Sequence, residues 1–229
     1  MKRSRRYVEQ RSTLGEARRV VDPVAAIKLV KELARDWESI DLDIRLGINT
    51  RKPDQNVRGT TILPKGTGRD PRVVVLCKED KAQEAREAGA DHVGLDELLD
   101  KISGGWLEFD VAIATPDVMK NVSKVAKILG PRGLMPNPKS GTVVVDVRQA
   151  VSEAKAGKVE YRADKTGIIH SSVGKAHFSA DDLRENLFHL MDAIIKARPS
   201  SVRGQYVKSI YLSATQSPSV RLDPSAFQS

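Results

Sequence analysis

Aromatic residues are scarce: four Phe, four Tyr and two Trp make up 4% of 229 residues. So sparse a set argues against a broad stacking platform for single-stranded nucleic acid. There is one cysteine, Cys77, so no internal disulfide can form. It follows the apolar run Val73-Val74-Val75-Leu76, where a lone Cys serves as a small core residue. The four histidines, His92, His170, His177 and His189, have no zinc-like spacing. None stands at motif distance from a nucleophile or a carboxylate. No apolar run nears the roughly 20 residues of a membrane span. The basic N-terminus lacks an apolar stretch behind it, so no secretory signal is expected. The default location is cytosol or an organelle matrix, and neither a cofactor, a metal nor a membrane is called for.

What is present is charge, unevenly spread. The apolar fraction of 40% and mean hydropathy of -0.37 suit a soluble globular chain. Net charge is +8, yet residues 68–157 hold 13 Lys+Arg against 14 Asp+Glu, and the remainder 25 against 16. The positive charge belongs to the two outer segments. A polyanion is the obvious partner for such asymmetry, with simple solubility as the plainer alternative.

The pattern changes along the chain in step with the charge. Residues 1–20 are basic (Lys2, Arg3, Arg5, Arg6, Arg11, Arg18, Arg19) and read as a frayed helix or a tail. Asp22-Pro23 caps a helix. Ile40, Leu42, Ile44, Leu46 and Ile48 alternate with polar residues, as in a strand with one buried face. A short strand is expected over 60–63. Beyond Pro64-Lys65-Gly66-Thr67-Gly68 the pattern is β-α repeated: strands over 72–77, 91–94 and 111–114, helices over 81–88, 95–102 and 118–129, then a last strand over 142–147 and a helix over 149–155. Short apolar strands between helices imply a parallel sheet covered on both faces. After Gly157 come a strand pair around the Asp164-Lys165-Thr166-Gly167 turn, a helix over 181–197 striped by Leu183, Leu187, Leu190, Met191 and Ile194, and a strand over 206–215. Each outer third is too small to bury a core alone. They are expected to pair as one split, ferredoxin-like α+β domain (1–67 plus 158–229), with an inserted Rossmann-like, three-layer α/β domain (68–157).

A β-α region invites a nucleotide site, but the phosphate fingerprint is missing. Cys77-Lys78-Glu79-Asp80 follows the first strand where Gly-x-Gly-x-x-Gly should stand. Gly174-Lys175 is followed by Ala176 instead of a magnesium-binding hydroxyl. A nucleotide-dependent enzyme is therefore the alternative reading, and no catalytic residue is assigned.

Residues 130–142, Gly-Pro-Arg-Gly-Leu-Met-Pro-Asn-Pro-Lys-Ser-Gly-Thr, pack three prolines and three glycines into thirteen positions. Gly130-Pro131 stops the preceding helix. The long loop offers Arg132 and Lys139 without an acid, either to contact a partner or as stray cations. This run, with 53–60, 114–119, 164–167 and Val173-Gly174-Lys175, closely resembles the bacterial-type ribosomal protein L-one family of the large subunit's mobile stalk. The resemblance extends from about Val24 to Arg221. It implies the same two-domain architecture and a monomer within the ribosome. It also implies binding to stalk ribosomal RNA, movement as deacylated tRNA leaves the exit site, and repression of the protein's own messenger RNA. A non-ribosomal messenger repressor is a further alternative.

The last strand offers a row of Val207, Ser209, Tyr211, Ser213 and Thr215 if Ile210, Leu212 and Ala214 face the core. Hydroxyls suit the 2′-OH groups and base edges of an RNA minor groove, though a β-prone polar face would look the same. The resemblance assigns RNA contact to Ser209 and Thr215, and to the turn after it, here Gln216-Ser217 where the family has Met-Gly. Arg51, Lys52, Arg58, Lys165 and Lys175 would hold phosphates, or stand as solvated cations. The resemblance favours a phosphate contact for His170. It also places an aromatic residue and a Thr near the first strand, matched here by Trp37 and Ile40. Trp37 can stack on a ribose; Ile40 cannot replace a hydroxyl. The loop residues Arg132 and Lys139 would make secondary contacts.

Overall fold

A computed structural model describes residues 3–15 and 20–227; Lys2, Arg18 and Arg19 of the basic segment lie outside them. The chain opens with α1 (Arg5–Leu14) and α2 (Pro23–Leu33), then β1 (Ser39–Leu46) and β2 (Arg58–Ile62). A β-α stretch follows: β3 (Val73–Leu76), α3 (Glu79–Glu87), β4 (His92–Gly94), α4 (Asp96–Ser103), β5 (Val111–Ala114), the short α5 (Met119–Val122) and α6 (Ala126–Leu129), and α7 (Val147–Lys155). The chain then returns through β6 (Lys158–Arg162), β7 (Ile168–Lys175), α8 (Ala180–Lys196), β8 (Val207–Ala214) and β9 (Val220–Leu222). The described residues gather into two compact units, one from residues up to Gly68 and from Val159 onward, the other from Arg69–Lys158. The protein thus mixes α and β structure, with an antiparallel sheet in the first unit and a parallel one in the second.

The first unit is built on a four-stranded sheet in the order β7-β1-β8-β9, with β2 and β6 as a separate pair. Alternation in β1 sends Ile40, Leu42, Ile44 and Leu46 into the core, all 2% exposed or less. They meet the stripe of α8 and the buried Ile27 and Val30 of α2 in one hydrophobic cluster. Asp22 caps α2 by accepting from the N–H groups of Val24 and Ala25. Asn186 of α8 is fully buried, yet its amide is satisfied: it accepts from the Lys65 N–H and donates to the carbonyls of Gly66 and Val173. Helices cover one sheet face; the other carries half-buried and exposed polar residues.

Val207 departs from the expected outward row of β8: it is buried at 5% exposure, and Lys208 is exposed instead. Arg45 pairs with Ser209 but Leu46 with Val207, so the register shifts by one residue. That bulge resets the side-chain phase. On its other edge β8 pairs with β9, a three-residue strand too short to announce itself by periodicity.

In the second unit β3 lies between β4 and β5, all parallel. Val74 and Leu76 pack on one side with α4, α5 and α6, and Val73 and Val75 on the other with α3 and α7. Two expectations fail here. The strand over 142–147 reduces to one parallel bridge, Ala114 with Val143. Val145 then turns out to 69% exposure, and Asp146 leaves the sheet to cap α7 through the Gln149 N–H. The helix over 118–129 is broken into α5 and α6 by a 3₁₀ turn at Ser123–Val125. The Ser123 hydroxyl donates back to the Met119 carbonyl, and three β-branched valines disfavour a continuous helix.

Candidate nucleic-acid interface

The open face of the four-stranded sheet is laid out by its register. One row runs His170, Asp43, Tyr211, Arg221 across β7, β1, β8 and β9. A second runs Ser172, Asp41, Ser213, and a third Ile168, Arg45, Ser209. Asp41, Asp43 and Arg45 were legible from the alternation of β1, since they fall on the phase opposite its core residues. The carboxylates of Asp41 and Asp43 make the centre of the face mixed in charge, with cations towards its two ends.

At one end the start of β1 meets the ends of β7 and β8. The Ser39 N–H donates to the Thr215 hydroxyl at 3.2 Å, and the Thr215 N–H to the Ser39 carbonyl at 3.1 Å. Lys175 extends Nζ to the Ser39 hydroxyl and to the Trp37 carbonyl, both at 3.1 Å. Trp37 itself is 64% exposed. Past Thr215 the chain turns, with the Ser217 N–H donating to the Ala214 carbonyl. The Ser217 hydroxyl accepts from the Ala214 N–H. Gln216 sits at the tip with φ of 61°, the one non-glycine residue of positive φ among those described. Trp37, Lys175, Thr215, Gln216 and Ser217 are thus brought into one rim. The hydroxyl there comes from Ser39, not position 40; Ile40 is buried in the core. Reading Trp37 and Ile40 as the pair missed this by one residue.

At the other end two loops meet. The Thr50 hydroxyl donates to the Lys165 carbonyl at 2.7 Å, placing the exposed Arg51 and Lys52 in the loop beside Lys165. Asp164 organises the Lys165 turn by accepting from the Thr166 and Ile168 N–H groups and the Thr166 hydroxyl. The Ile168 N–H, first among these, holds the Asp164 carboxyl below its ordinary pKa. His170 points Nδ1 at Asp43, 2.6 Å away, with Nε2 4.0 Å from Asp164. Ser209 is half-buried at this end, across from Arg45. Arg45 is six residue steps along β1 from Ser39, so the two ends lie about 20 Å apart.

Arg58 does not join either end. It sits on β2 and pairs with Glu160 of β6 at 2.7 Å. Arg132 and Lys139 belong to the other unit. Asn137 shapes their loop: its carbonyl accepts from the Ser140 and Thr142 N–H groups, and its side chain from the Lys139 N–H. Both cations are exposed. Sequence reasoning also missed Glu38, beside the rim and 1% exposed. A lone acid between Trp37 and Ser39 gives no signal of burial; its partner lies 32 residues away.

The crevice at the ends of β3 and β4, about 650 Å³, is lined by Cys77, Lys78, Glu79, Asp80, Asp96 and Glu97 among others. Acids fill the first turns of both α3 and α4. A phosphate would seek those helix ends and meet carboxylates instead. Burial raises the Cys77 thiol above its ordinary pKa, which leaves it a poor nucleophile. Among the described residues, no group of three His, Cys, Asp or Glu could hold a metal ion, and no helix is long and apolar enough to cross a membrane.

Residues 27–218, well over half of the chain, match the Ribosomal protein L1p/L10e family. The chain belongs to that family and is an L1-type protein of the large ribosomal subunit.

Proposed function

We propose that the protein grips a folded element of large-subunit ribosomal RNA with the open face of its antiparallel sheet. The Ser39–Thr215–Lys175 rim is the observation that carries this reading. Hydroxyls, an ammonium and an exposed indole converge there on a backbone fixed from both sides. Such a set fits 2′-hydroxyls, a phosphate and a ribose or base face. Arg51, Lys52 and Lys165 would hold phosphates at the far end, where His170 and Ser209 also lie. Arg58, paired with Glu160, would contribute after releasing that acid.

In this reading the split α+β unit is the RNA-binding domain. The Arg69–Lys158 unit is a separate α/β domain whose Arg132–Lys139 loop makes secondary RNA contacts. The assembly works at the ribosomal stalk as a single copy, assists release of deacylated tRNA, and acts without catalysis or cofactor. Repression of its own messenger would use the same face on a mimic of the ribosomal site, with Gln216-Ser217 setting its strength. Footprinting the protein on large-subunit ribosomal RNA tests the core of the proposal. Protection of one compact folded element is expected. Uniform weak protection, or none at moderate salt, would overturn it.

A further inference from the structure

Glu38 is a buried carboxylate between two residues of the rim, and the rim itself does not satisfy it. Its oxygens take both ends of the Arg6 fork, Nη1 at 2.5 Å and Nη2 at 2.9 Å. The Arg35 N–H adds a third contact at 3.3 Å. Arg6 Nη2 also donates to the Leu33 carbonyl, which Gln10 Nε2 contacts too, at 2.6 Å. Two residues of α1 thereby fasten it to the end of α2 and to the turn that leads into β1. The Glu38 carbonyl accepts from the Ala176 N–H, next to Lys175. Glu38 is therefore tied at its side chain to α1 and at its backbone to the end of β7.

We infer that Arg6 is a positioning residue for RNA binding: through Glu38 it holds Trp37 and Ser39 where Thr215 and Lys175 can engage them. The inference rests on the RNA-binding reading of the rim. A carboxylate 1% exposed does not stay buried without its cation. Once Arg6 is removed, Glu38 must swing towards water, and the turn it belongs to must move with it. The Ser39 N–H then leaves the Thr215 hydroxyl, and the Lys175 ammonium loses both of its acceptors. Arg6 directs three of its five N–H donors to Glu38 and Leu33, so its effect on RNA is one of shape. Arg5, exposed on the same helix, has the same charge and no described tie to the rim.

The test compares Arg6→Ala, Arg6→Lys and Arg5→Ala in the full chain, titrated with a large-subunit stalk RNA fragment over a range of salt. Amide hydrogen exchange at Ser39 is followed in parallel. For Arg6→Ala, affinity should fall about tenfold or more at every salt concentration. The salt slope should match wild type, and Ser39 exchange should quicken. Arg6→Lys, which keeps the charge but not the fork, should fall between the two, and Arg5→Ala should leave Ser39 exchange unchanged. A salt slope reduced by about 0.7–0.9 in Arg6→Ala would mean a lost phosphate contact and overturn the positioning role. Unchanged affinity in a folded Arg6→Ala protein would overturn it as well. If Arg6→Ala does not fold, Arg6→Lys decides: wild-type affinity refutes the inference, weaker binding at unchanged slope upholds it. Failure of the wild-type protein to bind the fragment would instead sink the RNA-binding reading on which the inference stands.

Discussion

Thr215 and Ser39 hold each other in both directions: one backbone N–H goes to a hydroxyl and the other to a carbonyl, across 176 residues of sequence. The Thr215 side chain is therefore a structural clasp as well as a candidate RNA contact. Thr215→Ala should weaken RNA binding by about 1–2 kcal/mol, the usual cost of losing such a bond. Thr215→Ser should bind nearly as wild type. Equal affinity of the Ala and Thr forms, both folded, would remove Thr215 from the interface.

Gln216 occupies the left-handed region at φ of 61°. For a residue with a Cβ this costs about 1–2 kcal/mol. Gln216→Gly should relieve part of that strain, against the extra freedom glycine gives the unfolded chain. A gain of up to about 1 kcal/mol is expected in urea unfolding. Gln216→Val should lose at least as much, because β-branching fits this region worst. A valine variant as stable as wild type would contradict the strain.

The Arg6 guanidinium is the main cause holding the Glu38 carboxyl below its usual pKa, against the upward push of burial. A depressed carboxylate stabilises the fold above its unfolded pKa, about 4.3. That stabilisation disappears as pH falls through the lower folded value. Urea midpoints should therefore drop more steeply below about pH 4.5 in wild type than in Glu38→Gln. Parallel curves for the two proteins would count against the pair.

Burial, reinforced by neighbouring Tyr161, pushes the Tyr206 phenol up to about 12. Its hydroxyl donates to the Ile194 carbonyl at 3.1 Å. A raised pKa in an acid favours the neutral form in the fold. Its stabilisation is whole below about pH 10 and is lost as pH climbs towards the folded value. Tyr206→Phe should cost about 1 kcal/mol at neutral pH. It should also remove a late step from the alkaline absorbance titration. An unchanged titration would show that Tyr206 ionises with the solvent.

The segment 69–158 is nearly neutral, so most phosphate affinity should reside outside it. Replacing it with a short Gly-Ser linker should leave the affinity for ribosomal RNA within about tenfold. A folded remainder with no affinity would place the interface elsewhere.

Periodicity determined much by itself. The alternation from Ile40 to Leu46 chose the buried face of β1, and with it the outward placement of Asp41, Asp43 and Arg45. The leucine stripe of α8 and the Gly130-Pro131 stop were equally local, because a backbone's repeat and its breakers act within a few residues. Tertiary structure decided the rest. A bulge between Arg45 and Leu46 turned Val207 inward, and helix capping by Asp146 drew residues 145–147 off the sheet. The pairs Arg6–Glu38, Asp43–His170 and Ser39–Thr215 join distant segments. Such pairings depend on strand register and on what burial leaves unsatisfied, and neither is written in the spacing of residues along the chain.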